Sequence, residues 1–201
     1  PTVEWEKKNG DIAYIKMHNF IGNIDAEYRR TAREIIAGNT KKIILDLRDN
    51  PGGFLDSAIE VASYFTQKGE LVAIEDFGNG HQRNEFRSEG YRYFDKTPMV
   101  VLINEGSASA SEILAGALKD TRSVTLVGEK TFGKGSVQEV VDLAQGTALK
   151  VTVARWLTPS GRSIQDAGIE PDVIVEMTAE NKDQGKDPQL DKALEIIRNI
   201  K

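Results

Sequence analysis

The chain has 201 residues, of which 39% are hydrophobic and 28% charged, enough apolar material for one sizeable core and no compositional sign of disorder. A formal net charge of -5 and the lack of a basic cluster argue against nucleic acid or an anionic membrane surface as the main partner. With no cysteine, disulfides, thiol nucleophiles and zinc–thiolate sites are excluded, while the compartment stays open.

No apolar run is long enough for a membrane span and no signal peptide is visible. The start at Pro1-Thr2-Val3, without an initiator methionine, reads as that of a processed or excised segment. The expectation is a single domain over residues 1–201, without internal repeats.

Asp11 to Met17 (DIAYIKM) alternates like a strand, and Asp25 to Ala37 has the charge-rich pattern of a surface helix. Lys42 to Leu47 reads as a buried strand ending in the turn Arg48-Asp49-Asn50-Pro51-Gly52-Gly53. A helix over Leu55 to Thr66 and a strand over Leu71 to Glu75 follow, and the polar, glycine-punctuated stretch Asp76 to Thr97 reads as an irregular hairpin or flap. Pro98 to Ile103 is the most apolar strand candidate, leading through Gly106 into a helix from about Ser109 to Lys119. Ser123 to Val127 and Thr147 to Trp156 are further strands, with a turn at Thr158-Pro159-Ser160-Gly161. Asn181 to Lys186 reads as a polar linker, and Leu190 to Ile200 as a closing amphipathic helix.

In open α/β sheets, ligands gather where strands end and helix N-termini present free amides. Ser109 falls at such a helix start, where the dipole and free N–H groups stabilise an alkoxide or a tetrahedral oxyanion. Ser109-Ala110-Ser111-Glu112 is also a capping box, and taken alone it is explained by capping.

Lys134 stands between Gly133 and Gly135, which allow close backbone approach. A free lysine, with a pKa of about 10.4, becomes a base near neutrality only when burial lowers it, so burial of Lys134 is expected. Gln138, four residues on, is expected to share its face and to accept a hydrogen bond from the amine; an exposed lysine and a surface glutamine remain the plain alternative. His18 and His81, the only histidines, are far in sequence from these segments, which disfavours a Ser-His-Asp arrangement. Gly128 to Lys134 falls one residue short of a phosphate-binding loop, because Gly135 stands where Ser or Thr is required and the following residues alternate like a strand.

Four motifs, DLRDNPGG (Asp46 to Gly53), NEGSASASEILAGALKD (Asn104 to Asp120), VGEKTFGKGSVQ (Val127 to Gln138) and LTPSGRSIQDAGIEPDV (Leu157 to Val173), closely resemble the carboxyl-terminal processing peptidases, or tail-specific proteases, in the family's order and spacing. The resemblance implies an α/β core like that of Clp protease and crotonase, with alternating strands and helices and a C-terminal helix. By resemblance, Ser109 is the nucleophile, Lys134 the general base and Gln138 the residue that orients the lysine. Ser107 and Ser111 take flanking positions, and the N–H groups of Gly53 and Ala110 form the oxyanion hole. No metal or cofactor is implied. The implied partners are protein or peptide substrates with accessible C-terminal tails, in an extracytoplasmic setting such as periplasm, cell envelope or thylakoid lumen.

Family members usually carry a PDZ domain that binds the substrate tail or gates the site, and no stretch of this sequence is left over for one. An excised core and a naturally short member both fit. A catalytically idle peptide-binding core is the alternative, and a crotonase-like acyl-CoA enzyme a more distant one, since that chemistry calls for acidic groups and a CoA site.

Overall fold

A computed structural model describes residues 2–78, 80, 83–143 and 147–200, with Asp142 described by its backbone alone. His81 lies outside the described residues. Ten strands and five helices are present among them: β1 (Val3–Lys8), β2 (Ile12–Met17), α1 (Ile24–Ala37), β3 (Lys42–Asp46), α2 (Leu55–Ser63), β4 (Leu71–Asp76), β5 (Asn84–Arg87), β6 (Met99–Ile103), α3 (Ala110–Arg122), β7 (Thr125–Gly128), β8 (Ser136–Asp142), β9 (Ala148–Leu157), β10 (Val173–Ile174), α4 (Ala179–Asp183) and α5 (Pro188–Asn199).

A six-stranded sheet runs in the order β1-β2-β3-β6-β7-β10. Only the β1–β2 pair is antiparallel; β2–β3, β3–β6, β6–β7 and β7–β10 are parallel. Central parallel strands are buried on both faces and so read as unbroken apolar runs. Successive residues therefore serve different cores. Ile43, Leu45, Val101 and Ile103 pack into the larger cluster with residues of α1, α2 and α3, and Ile44, Val100 and Leu102 pack into the smaller one with Ala193 and Ile197 of α5. A second, antiparallel sheet, β5-β4-β9-β8, stands beside the first.

The parallel β3, β6 and β7 end together, so the segments after Asp46, Ile103 and Gly128 converge on one end of the sheet. Two details near the chain's ends differ from the sequence expectation. β1 precedes the expected first strand; its charged residues Glu4, Glu6, Lys7 and Lys8 suit a sheet edge and leave only Val3 and Trp5 to mark the apolar period. Part of the Asn181–Lys186 linker is helical, because the Thr178 side chain accepts from the Asn181 N–H at 3.1 Å and caps α4. The Asp76–Thr97 stretch, expected as an irregular hairpin or flap, contributes β5, which closes a hairpin with β4 that carries a register shift.

Candidate active site

The turn after β3 is built around Asn50, whose side chain is fully buried. Its Oδ1 accepts from the Gly52 N–H at 2.9 Å, its Nδ2 donates to the Met17 carbonyl at 2.9 Å, and its own carbonyl accepts from the Ala108 N–H at 3.0 Å and from Ser111 Oγ at 2.9 Å. Phe20 lies alongside: its N–H donates to the Gly52 carbonyl, and its carbonyl accepts from the Phe54 N–H, both at 2.8 Å. In a parallel pairing of this kind the opposed residue, Gly53, turns its N–H away from Phe20. Among the described residues no hydrogen bond is made by the Gly53 N–H.

The loop after β6 is stitched to that turn. Asn104 Oδ1 accepts from the Asp49 and Gly106 N–H groups at 2.8 and 3.0 Å, and Asn104 Nδ2 donates to Asp49 Oδ1 at 2.8 Å. Of the three serines at the junction of this loop and α3, Ser107 and Ser111 are completely buried. Ser107 Oγ donates to the Leu47 carbonyl at 2.8 Å and Ser111 Oγ to the Asn50 carbonyl. Ser109 alone stays accessible. It takes φ +57° and ψ -116°, a region that non-glycine residues avoid and that costs of order 1–3 kcal/mol, often at functional sites. Only the glutamate half of the capping box forms: Glu112 Oε2 accepts from the Ser109 N–H at 2.8 Å, whereas the Glu112 N–H donates to the Ser109 carbonyl at 2.9 Å and no cap hydrogen bond engages the hydroxyl. The Ala110 N–H, at the first helical position, likewise has no partner among the described residues.

The loop after β7 returns to the same helix start. The Glu112 carboxylate, with no solvent exposure, accepts at Oε1 from Thr131 Oγ1 (2.6 Å) and the Gly133 N–H (2.7 Å), and at Oε2 from the Lys134 N–H (2.9 Å) as well as from Ser109. The Ser109 and Lys134 backbone nitrogens share one oxygen and are thus at most 5.7 Å apart, the two bonds laid end to end. On its far side the loop is pinned by the Gly135 N–H on Gln165 Oε1 (3.1 Å) and by the Asp166 N–H on the Gly133 carbonyl (2.9 Å).

Lys134 itself is exposed rather than buried, and its ammonium makes no hydrogen bond or ion pair among the described residues. Nor does Gln138 share a strand face with it: Lys134 precedes β8, whereas Gln138 lies within it, just past a register shift between Val137 and Gln138. Gln138 is exposed and lines an open cleft of about 550 Å³ with Ser136, Thr152, Ala154 and Gln165. His18 is nearer than its sequence position suggests, since Met17 and Phe20 both bond to the Asn50–Gly52 turn. Its ring faces Glu4, with Nε2 3.5 Å from Oε2.

Two groups of residues escaped sequence reasoning. Asn50, Thr131 and the long-range bonds of Glu112 hold the three loops together; Asn50 had a visible signal in the Asn-Pro-Gly-Gly turn, and the capping box signalled only the bond of Glu112 to Ser109, while the rest depends on long-range pairing. Behind the turn, buried Arg48 binds the fully buried Asp46 (Nη2–Oδ2 2.6 Å) and Asp187 (Nη1–Oδ1 2.8 Å), tying the start of α5 to the end of β3. Burial pulls the Arg48 guanidinium down, but its bonds to both carboxylates outweigh this and hold it above its ordinary value. Burial pushes Asp187 up, and Arg48 with the Leu190 N–H brings it below the usual carboxylate range. Among the described residues no group of three or more acidic or histidine side chains could hold a metal ion, and no helix is long and apolar enough to cross a membrane.

Residues 11–175 match the family model described as peptidase family S41. A carboxy-terminal-processing protease of Bartonella bacilliformis is 42% identical over 199 residues, covering 96% of this chain and 45% of the relative. The chloroplastic C-terminal processing peptidase of Tetradesmus obliquus is 40% identical over 162 residues, covering 81% and 34%. A solved photosystem II D1 C-terminal processing protease superposes with a TM-score of 0.80 at 33% identity, covering 88% of this chain and 48% of that one. The chain thus spans less than half the length of these relatives. The α/β core expected from the motifs is the fold observed.

Proposed function

Because the chain belongs to peptidase family S41, we propose that it is the catalytic core of a serine endopeptidase that cuts near the C-terminal tails of protein substrates. Ser109 is the nucleophile, Lys134 the general base, Gln138 the group that orients the lysine, and the N–H groups of Gly53 and Ala110 form the oxyanion hole. The observation that carries this reading is the shared oxygen of Glu112, which holds the backbones of Ser109 and Lys134 within 5.7 Å. An extended lysine side chain spans about 6 Å, the scale of that separation, and in this reading it turns toward Ser109 Oγ by rotation about its own side-chain bonds.

Neutral Lys134 takes the Ser109 proton as Oγ attacks the scissile carbonyl. Gly53, in the turn after β3, and Ala110, at the start of α3, donate to the tetrahedral oxyanion, and two amides without a partner among the described residues suit that charge. Lys134 then passes its proton to the leaving amine, and water hydrolyses the acyl-enzyme. The substrate lies extended in the cleft beside Gln138, where β8 is the edge of its sheet and can accept a further strand. The greater length of the relatives leaves room for the tail-binding or regulatory PDZ domain that the family resemblance implies, and an extracytoplasmic location fits the same resemblance.

The exposure of Lys134 favours a second reading, a catalytically idle peptide-binding core. Digestion of unfolded casein across a range of pH by the parent chain, Ser109→Ala and Lys134→Ala separates the two. Cleavage by the parent that both variants lose supports the peptidase; a parent that binds peptide without cleaving it or acylating at Ser109 supports the idle core.

A further inference from the structure

We infer that Glu112 is a positioning residue for the serine–lysine pair, an inference that rests on the roles proposed for Ser109 and Lys134. A glutamate that only capped α3 would need one donor, the Ser109 N–H. Glu112 takes three more, from Thr131, Gly133 and Lys134, which lie 19, 21 and 22 residues further along the chain. An ionised carboxylate offers about four acceptor sites, and each oxygen here receives two donors, so the group is saturated.

Its burial makes the arrangement demanding. A carboxylate removed from water is costly unless its oxygens are fully bonded, and among the described residues no cation pairs with Glu112. All the compensation therefore comes from the lysine loop and the serine's own N–H. Gly133 and Lys134 present consecutive N–H groups to one carboxylate, in the manner of an anion-binding nest. The Ser109 N–H bond holds a residue whose φ is +57°. Glu112 thereby fixes the lysine backbone relative to the nucleophile, leaving only the Lys134 side chain to turn between its exposed position and Ser109 Oγ.

The isosteric Glu112→Gln tests this. An amide keeps one acceptor oxygen and sets an NH2 group against two donors, so it releases one half of the tether with little change of volume. The measurement is the rate at which a fluorophosphonate modifies Ser109, followed against pH in the wild type, Glu112→Gln, Lys134→Ala and the double variant. Folded Glu112→Gln is expected to react on the order of 10–100-fold more slowly, with a displaced pH profile and little further loss in the Lys134→Ala background. A peptide KM close to that of the wild type would accompany this loss. Wild-type labelling that Lys134→Ala abolishes but Glu112→Gln leaves at the same rate and pH profile overturns the role of Glu112 alone. Wild-type labelling that is absent, or indifferent to Lys134→Ala, removes the serine–lysine reading and this inference with it. Should Glu112→Gln fail to fold, the structure of the wild-type Ser109 adduct decides. The Lys134 backbone is expected to keep its bond to Glu112 while the side chain turns in, and a loop shift that breaks that bond overturns the proposal.

Discussion

A Cβ placed on Gly52 would stand 2.8 Å from the Cβ of Ser109, and also 2.5 Å from the Ala108 carbonyl oxygen and 2.9 Å from the Ala110 nitrogen. The turn after β3 and the start of α3 thus meet backbone to backbone at the candidate nucleophile. Gly52 also takes φ +93°, which adds roughly 1–2 kcal/mol of strain for any L side chain. Gly52→Ala is expected to push the turn off Ser109, costing about 2–4 kcal/mol in total, and to suppress Ser109 acylation more than its fall in stability explains. Urea unfolding alongside fluorophosphonate labelling measures both, and a folded variant with wild-type labelling would refute the close approach.

Asn50 predicts a second effect at the same turn. Its Nδ2 donates to the Met17 carbonyl and its Oδ1 accepts from the Gly52 N–H, so the side chain needs both a donor and an acceptor. Asn50→Asp keeps the shape but sets an oxygen against a buried carbonyl, with an expected loss of about 1–3 kcal/mol. The loss should ease as pH falls and the carboxylic acid regains a donor. A denaturation midpoint equal to that of the parent at pH 7 would contradict this account.

The regular elements near the site were legible in the sequence because local pattern decides them. The unbroken apolar runs of β3 and β6 announce strands buried on both faces, and the Asp-Asn-Pro-Gly-Gly turn announces where β3 stops. β1 was not legible, since a charged edge strand carries little period. At the site, the serine at a helix start and the lysine between glycines stood out by residue type. The fourfold engagement of Glu112 did not, because three of its donors arrive through folding from 19 to 22 residues away. The exposure of Lys134 was equally hidden: flanking glycines permit close backbone approach but do not dictate where the side chain points.

His18 supplies a discriminating control. The β2 end that carries it is bonded to the Asn50–Gly52 turn, so a histidine base cannot be dismissed by distance along the chain. Its ring, however, faces Glu4. With Lys134 as the base, His18→Ala is expected to leave Ser109 labelling and its pH profile within about twofold of the parent, the range of a surface substitution. A variant as inert as Lys134→Ala would transfer the base assignment to the histidine.

The Arg48–Asp187 pair makes stability depend on pH in a defined direction. Asp187 is held below the usual carboxylate range despite burial, because Arg48 and the Leu190 N–H stabilise its charged form. A carboxylate with a depressed folded pKa contributes stability that is fully present above its unfolded value of about 3.9, and that is lost as pH falls through the folded value. Asp187→Asn should therefore be less stable than the parent at pH 7, and the difference should shrink below about pH 4. Arg48→Ala is expected to cost more, about 3–5 kcal/mol, because it strands the fully buried Asp46 carboxylate without a cation. Urea unfolding at several pH values tests both. A gap between parent and Asp187→Asn that stays constant down to pH 2 would show that the carboxylate's charge does not anchor the start of α5 to the end of β3.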